Sequence, residues 1–191
     1  MTDMKRKCAM AIILLIFLLP QSIYAELLDD GNKMGSVAGI ATNYIKWAEI
    51  YRVSDFDPEP HYSTDVSPNN EKSLIIDDLG IIYDNSDLQA TWISLFYINK
   101  STSALDMVNQ WKRASSLFGA IVYGDPSKFS DDDIETVKQK VDGIMNQLND
   151  TMSIKQESLS NGGSALFYQS GSREFYLQYI KDENQWMITV K

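Results

Sequence analysis

Ser172-Arg173-Glu174-Phe175-Tyr176-Leu177-Gln178-Tyr179-Ile180 places Phe175, Leu177 and Tyr179 on one side of an extended chain and Glu174, Tyr176 and Gln178 on the other. A period of two is the pattern of a half-buried strand. Ser170-Gly171 just before it is a turn pair, and Ala165–Gln169 is a second run of the same kind, so the two predict a hairpin. Asp182, Glu183 and Asn184 turn the chain again into Gln185–Val190, and Asn161-Gly162-Gly163 is the hinge that feeds the unit. The expectation is a three-stranded antiparallel meander.

Two helices precede it. Ser130 caps the second, with Asp131, Asp132 and Asp133 at the positive end of its dipole. Ile134, Val137, Val141, Ile144, Met145 and Leu148 then recur at steps of three and four, the helical period. In the first helix Ser103 and Asp106 have the spacing of a capping box, with Asp in the usual place of Glu. Leu105, Val108, Trp111, Ser115, Phe118 and Val122 can share one broad face, and Gly124 with Pro126 ends the helix. The short connector makes the pair an antiparallel helical hairpin.

Further upstream, Leu74–Ile76 with Gly80–Tyr83, and then Gln89–Asn99, are rich in β-branched and aromatic residues and flank the turn Asn85-Ser86-Asp87. They predict another hairpin. Gly31 and Asn32 precede a helical stripe of Met34, Val37, Ala38, Ala41, Ile45, Ala48 and Tyr51, with Tyr44 and Trp47 at its flanks. The order α-ββ-αα-βββ predicts an α+β fold, an antiparallel sheet with helices packed on one face. Residues 54–73 break the periodicity with Pro58, Pro60 and Pro68 among Asp55, Asp57, Glu59 and Asp65. Connections that long are usually functional or disordered.

Residues 1–25 have the layout of a secretory signal peptide. Lys5, Arg6 and Lys7 are followed by an apolar run from Ala9 to Leu19, Pro20, and a small residue, Ala25, before Glu26. The apolar run is too short to span a bilayer, and an uncleaved N-terminal anchor is the rival expectation. Residues 26–191 then suit a single domain. Cys8, the only cysteine, lies in the export segment, so the mature part has no thiol for a disulfide, a thiolate metal site or a nucleophile. A bacterial periplasm or a secreted location follows.

The 191-residue chain carries 26 acidic and 17 basic side chains, a formal net charge of −9. Losing Lys5, Arg6 and Lys7 against Asp3 alone makes the mature part more acidic still. Such a surface repels nucleic acid and anionic membranes, and it favours a basic protein partner, although solubility alone accounts for most acidic surfaces.

Signals for catalysis are absent. His61, the sole histidine, would have to serve any serine triad, and no Gly-x-Ser-x-Gly elbow accompanies it. Asp55, Asp57 and Glu59 have the spacing of a calcium loop, but Pro60 stands where the EF-hand needs glycine and Val66 where it needs glutamate. No zinc spacing, phosphate loop or dinucleotide fingerprint is present, so neither metal nor cofactor is expected. Aromatic residues on the strands fall on both sheet faces, and they fill a core or offer a contact surface. Asp55, Asp57, Glu59 and His61 of the loop, with Tyr168 and Tyr176 of the strands, are the candidate binding residues. The sequence thus leans away from an enzyme, toward an exported, non-catalytic envelope protein acting by protein–protein contact, such as an inhibitor, an immunity protein or an accessory subunit. The alternative is a small envelope hydrolase using carboxylates, which would need two acids facing each other in one cleft.

Overall fold

The computed structural model describes residues 35–64, 67–99, 103–159, 163–181 and 185–191, all within one unit of chain, Met34–Lys191. The export segment, the start of the predicted first helix, most of the Asn161-Gly162-Gly163 hinge and the Asp182-Glu183-Asn184 turn lie outside the described residues.

In chain order the elements are helix α1 (Val37–Tyr51), strands β1 (His61–Tyr62), β2 (Glu71–Ile76), β3 (Leu79–Asp84) and β4 (Ala90–Asn99), helices α2 (Ala104–Phe118) and α3 (Asp131–Leu159), and strands β5 (Ser164–Ser170), β6 (Arg173–Ile180) and β7 (Gln185–Val190). The fold is α+β. Among the described residues, all seven strands join one sheet in the order β1-β2-β3-β4-β7-β6-β5, every neighbouring pair antiparallel. The hairpin expected from residues 74–99 is larger than its sequence suggests. Asp77-Asp78 turns the chain and splits the first run into β2 and β3, and β1 lies inside the stretch 54–73.

Alternation holds in the meander. Phe175 and Leu177 are fully buried in the core with Trp186, Ile188 and Val190 of β7, whereas Tyr176 faces the other side. Helix α2 packs on β4, α3 packs on β5 and β6, and α1 packs against α2. The opposite sheet face takes apolar side chains as well: Ile82, Trp92 and Met187 sit there and are buried.

The capping expectations are met atom by atom. Asp106 N–H donates to Ser103 Oγ and Ser103 N–H to the Asp106 carboxylate, and Ser130 with Asp133 repeats the arrangement on α3. The helix faces need correction. Tyr44 and Trp47, expected at the flank of α1, are its most buried residues, while Ala38 is exposed. In α2, Leu105 and Val108 are 64% and 50% exposed, and the buried face instead includes Asn109 and Arg113. The end expected at Gly124 holds, because the helical path continues past Phe118. It widens into a π turn over Gly119–Tyr123 before Gly124, at φ 78°, breaks it. The π turn meets α1 at Gly119, where a Cβ would stand 2.6 Å from the Trp47 ring.

Candidate functional site

The turn of chain after α1 is unusual. Arg52 and Asp55, together with Asp77 in the β2–β3 turn, have φ of 53°, 55° and 52°. Left-handed backbone is uncommon outside glycine, and it persists where surrounding structure over-determines it. Three side chains on one face of α2 do so here. Lys112 Nζ donates to the Arg52 carbonyl (2.9 Å), Asn109 Oδ1 accepts from Ser54 N–H (3.2 Å), and Arg113 Nη2 reaches the Asp55 carbonyl (3.5 Å). Their spacing of three and four puts them on one helical face.

Arg113 is also ion-paired. Its Nε donates to Asp77 Oδ2, its Nη2 to Asp77 Oδ1 (3.2 Å), and Asp78 Oδ2 lies 3.4 Å from Nε. The Arg113 and Asp77 side chains are 7% and 3% exposed. Burial acts to lower the Arg113 pKa, but the hydrogen bond and charge of Asp77, aided by Asp78, outweigh it and raise it. Tyr44 completes the surroundings. Its ring meets Phe56 edge-on at 5.7 Å, and burial, then the charges of Asp77 and Asp78, push its hydroxyl well above the ordinary tyrosine range.

On this support the loop presents the sequence-predicted residues. Asp55, Asp57, Glu59 and His61 are all exposed, while Phe56 between the first two turns inward. Asp57 Oδ1 accepts from Glu59 N–H (3.1 Å), and His61 Nε2 stands 4.0 Å from Asp57 Oδ2. Tyr168 and Tyr176 are not brought to them. β1 is one edge of the sheet, and the two tyrosines lie on β5 and β6 at the other. They also face opposite sides. Tyr168 pairs with Phe175 and packs on it at 5.5 Å, whereas Tyr176 donates to Glu174 Oε2 (2.5 Å) under the Lys191 ammonium, 4.7 Å from its ring centre. The Glu174 hydrogen bond, then burial, pushes the Tyr176 hydroxyl up to about 12.

Asn109, Lys112, Arg113, Asp77 and Tyr44 were not legible as one group. The only signal was an arginine and an asparagine beside the apolar stripe of α2.

A cavity of about 330 Å³ opens between α1 and the π turn, lined by Gly39, Asn43, Tyr123 and Arg173 among others. Among the described residues that line it there is no carboxylate. Among the described residues no group of three or more His, Cys, Asp or Glu side chains could hold a metal ion, and no helix is long and apolar enough to cross a membrane. No protein-family model, curated protein or solved structure matches this chain.

Proposed function

We propose that the chain is an exported, non-catalytic binding protein of a bacterial envelope, in the periplasm or secreted, and that it meets a basic protein partner through the loop Asp55–His61. An inhibitor or immunity protein and an accessory subunit are its concrete forms. One observation carries this reading: three acids and a histidine stand exposed on a loop whose base, from Arg52 to Asp55, Asn109, Lys112 and Arg113 hold at three points. A preordered acidic segment loses less conformational freedom on binding than a mobile one. The net charge of −9 adds long-range attraction for a cation-rich surface.

The test is capture from envelope extract, followed by association kinetics of the identified partner at two salt concentrations. Screening shortens the reach of the acidic field to about 8 Å at physiological ionic strength, so the on-rate should fall as salt rises. Changing Asp55, Asp57 and Glu59 together to their amides should lower the on-rate and leave folding intact, because all three are exposed. An on-rate indifferent to both salt and the triple change removes the proposal. Turnover of a cell-wall glycan by the purified protein would replace it with the carboxylate hydrolase.

A further inference from the structure

One guanidinium joins three separate parts of the chain. Arg113 comes from α2, Asp77 from the β2–β3 turn, and the Asp55 carbonyl from the loop. Two of these parts have left-handed non-glycine backbone, at Asp77 and Asp55. Aspartate visits that region more readily than most residues but seldom rests there, and Arg113 bonds to both, which favours the one arrangement. A guanidinium suits the task because its planar fork engages a carboxylate through Nε and Nη2 while Nη2 also reaches the loop. An ammonium could keep the charge but not that geometry.

We propose that Arg113 is a positioning residue that locks the loop Asp55–His61 to the β2–β3 turn through Asp77, holding the acids in one arrangement before any partner arrives. The inference rests on the loop being the contact surface, but its test needs no partner. Residue-resolved amide exchange on the intact protein reports it, because Ser54 N–H is held by Asn109 at the base of the loop, whereas Ile81 N–H belongs to the central sheet.

Arg113→Lys keeps a cation beside Asp77, and Arg113→Met with Asp77→Asn removes both charges while leaving Asn, which tolerates left-handed backbone. In each, Ser54 should lose about tenfold in protection beyond any change at Ile81, the scale of one charge-assisted hydrogen bond. Chemical shifts of Phe56 and Asp57 should move toward loop averages in the same variants. Protection at Ser54 that merely tracks Ile81, whether both stay high or both collapse, would make Arg113 an ordinary core residue and overturn the proposal. If Ser54 loosens selectively but partner binding ignores Asp55, Asp57 and Glu59, the lock stands and the binding reading falls.

Discussion

The β1 edge of the sheet ends in two residues, with Pro58 and Pro60 just before them and Asp57 and Glu59 exposed, whereas the β5 edge runs for seven residues without a charge. An unpaired edge invites pairing with other chains, and the two edges answer that hazard differently. Proline, charge and brevity guard β1. A register shift between Leu166 and Tyr168 interrupts β5, an irregularity that bends a strand away from regular pairing. What lies behind each edge differs too. Under the start of the loop that leads to β1 is a buried ion pair with its hydrogen bonds. Behind β5 is a cluster of rings, with Phe118, Phe167 and Phe175 at centroid distances of 5.6–6.3 Å. Rings fill volume and tolerate small shifts, while an ion pair fixes particular atoms. The lesson is that a segment needing a defined backbone is held by directed bonds, and one needing only cohesion is held by packing.

The largest effect should come from the ring cluster. Phe175→Ala empties a fully buried site and should cost about 3–5 kcal/mol in denaturant titration. A loss under about 1 kcal/mol would show that the β5 edge does not depend on its rings.

At the other edge, Arg113→Met leaves Asp77 buried without its partner and should cost about 3 kcal/mol. Combining it with Asp77→Asn should return most of that loss, since the penalty lies in the uncompensated charge. Equal losses in the single and double variants would mean that packing, not charge, holds this edge.

Glu71, at the start of β2, sharpens the contrast by its sign. Burial raises its pKa, with Asp84 adding to it, although hydrogen bonds from Thr91 and Ser67 act against the shift. A raised carboxyl pKa favours the fold at low pH and loses that advantage as pH rises through it. Glu71→Gln should therefore raise the melting temperature at pH 7, and the gain should vanish below about pH 4, where the unfolded carboxyl is also protonated. A variant less stable than the parent at pH 7 would assign Glu71 a net favourable role as an anion.

The smallest effect belongs to Tyr176 on the outer face of β6. Its hydroxyl, pushed up to about 12, adds stability that is present below the ordinary tyrosine pKa and lost as pH rises through 12. Tyr176→Phe should cost a small part of the stability at pH 7, where the hydrogen bond to Glu174 is intact, and should flatten stability against pH between about 10 and 12. An ultraviolet titration in which the parent and Tyr176→Phe differ by an ordinarily ionising tyrosine would refute this.

Local chemistry made much of the architecture readable. Ser103 with Asp106, and Ser130 with Asp133, announce helix starts because a cap needs only residues three apart. Phe175 and Leu177 announce a strand because alternation is local as well. The start of β2 was hidden, since Glu71-Lys72-Ser73 has no apolar alternation and is ordered by its register with β3. The solvent-facing half of α2 misled for a related reason: Leu105 and Val108 continue a helical stripe, but the tertiary contacts begin only at Asn109. The acids of the candidate site were visible as composition. Their support was not, because Arg113 and Asp77 are 36 residues apart and only the fold brings them together.

Gly119 can change only after Trp47 has changed. Backbone freedom is not what position 119 requires, since its φ of −55° suits any residue. The requirement is purely one of space, with the indole standing where a side chain would begin. Descendants of this sequence that gain even a methyl group at 119 must already carry a smaller residue at 47. That residue would surrender the bond from Trp47 Nε1 to the Gly124 carbonyl, 2.8 Å long, which ties the end of the π turn back to α1. The order of substitution is therefore constrained: 47 first, through a weakened intermediate, and 119 second. Lineages that have replaced Gly119 are expected to have replaced Trp47 as well.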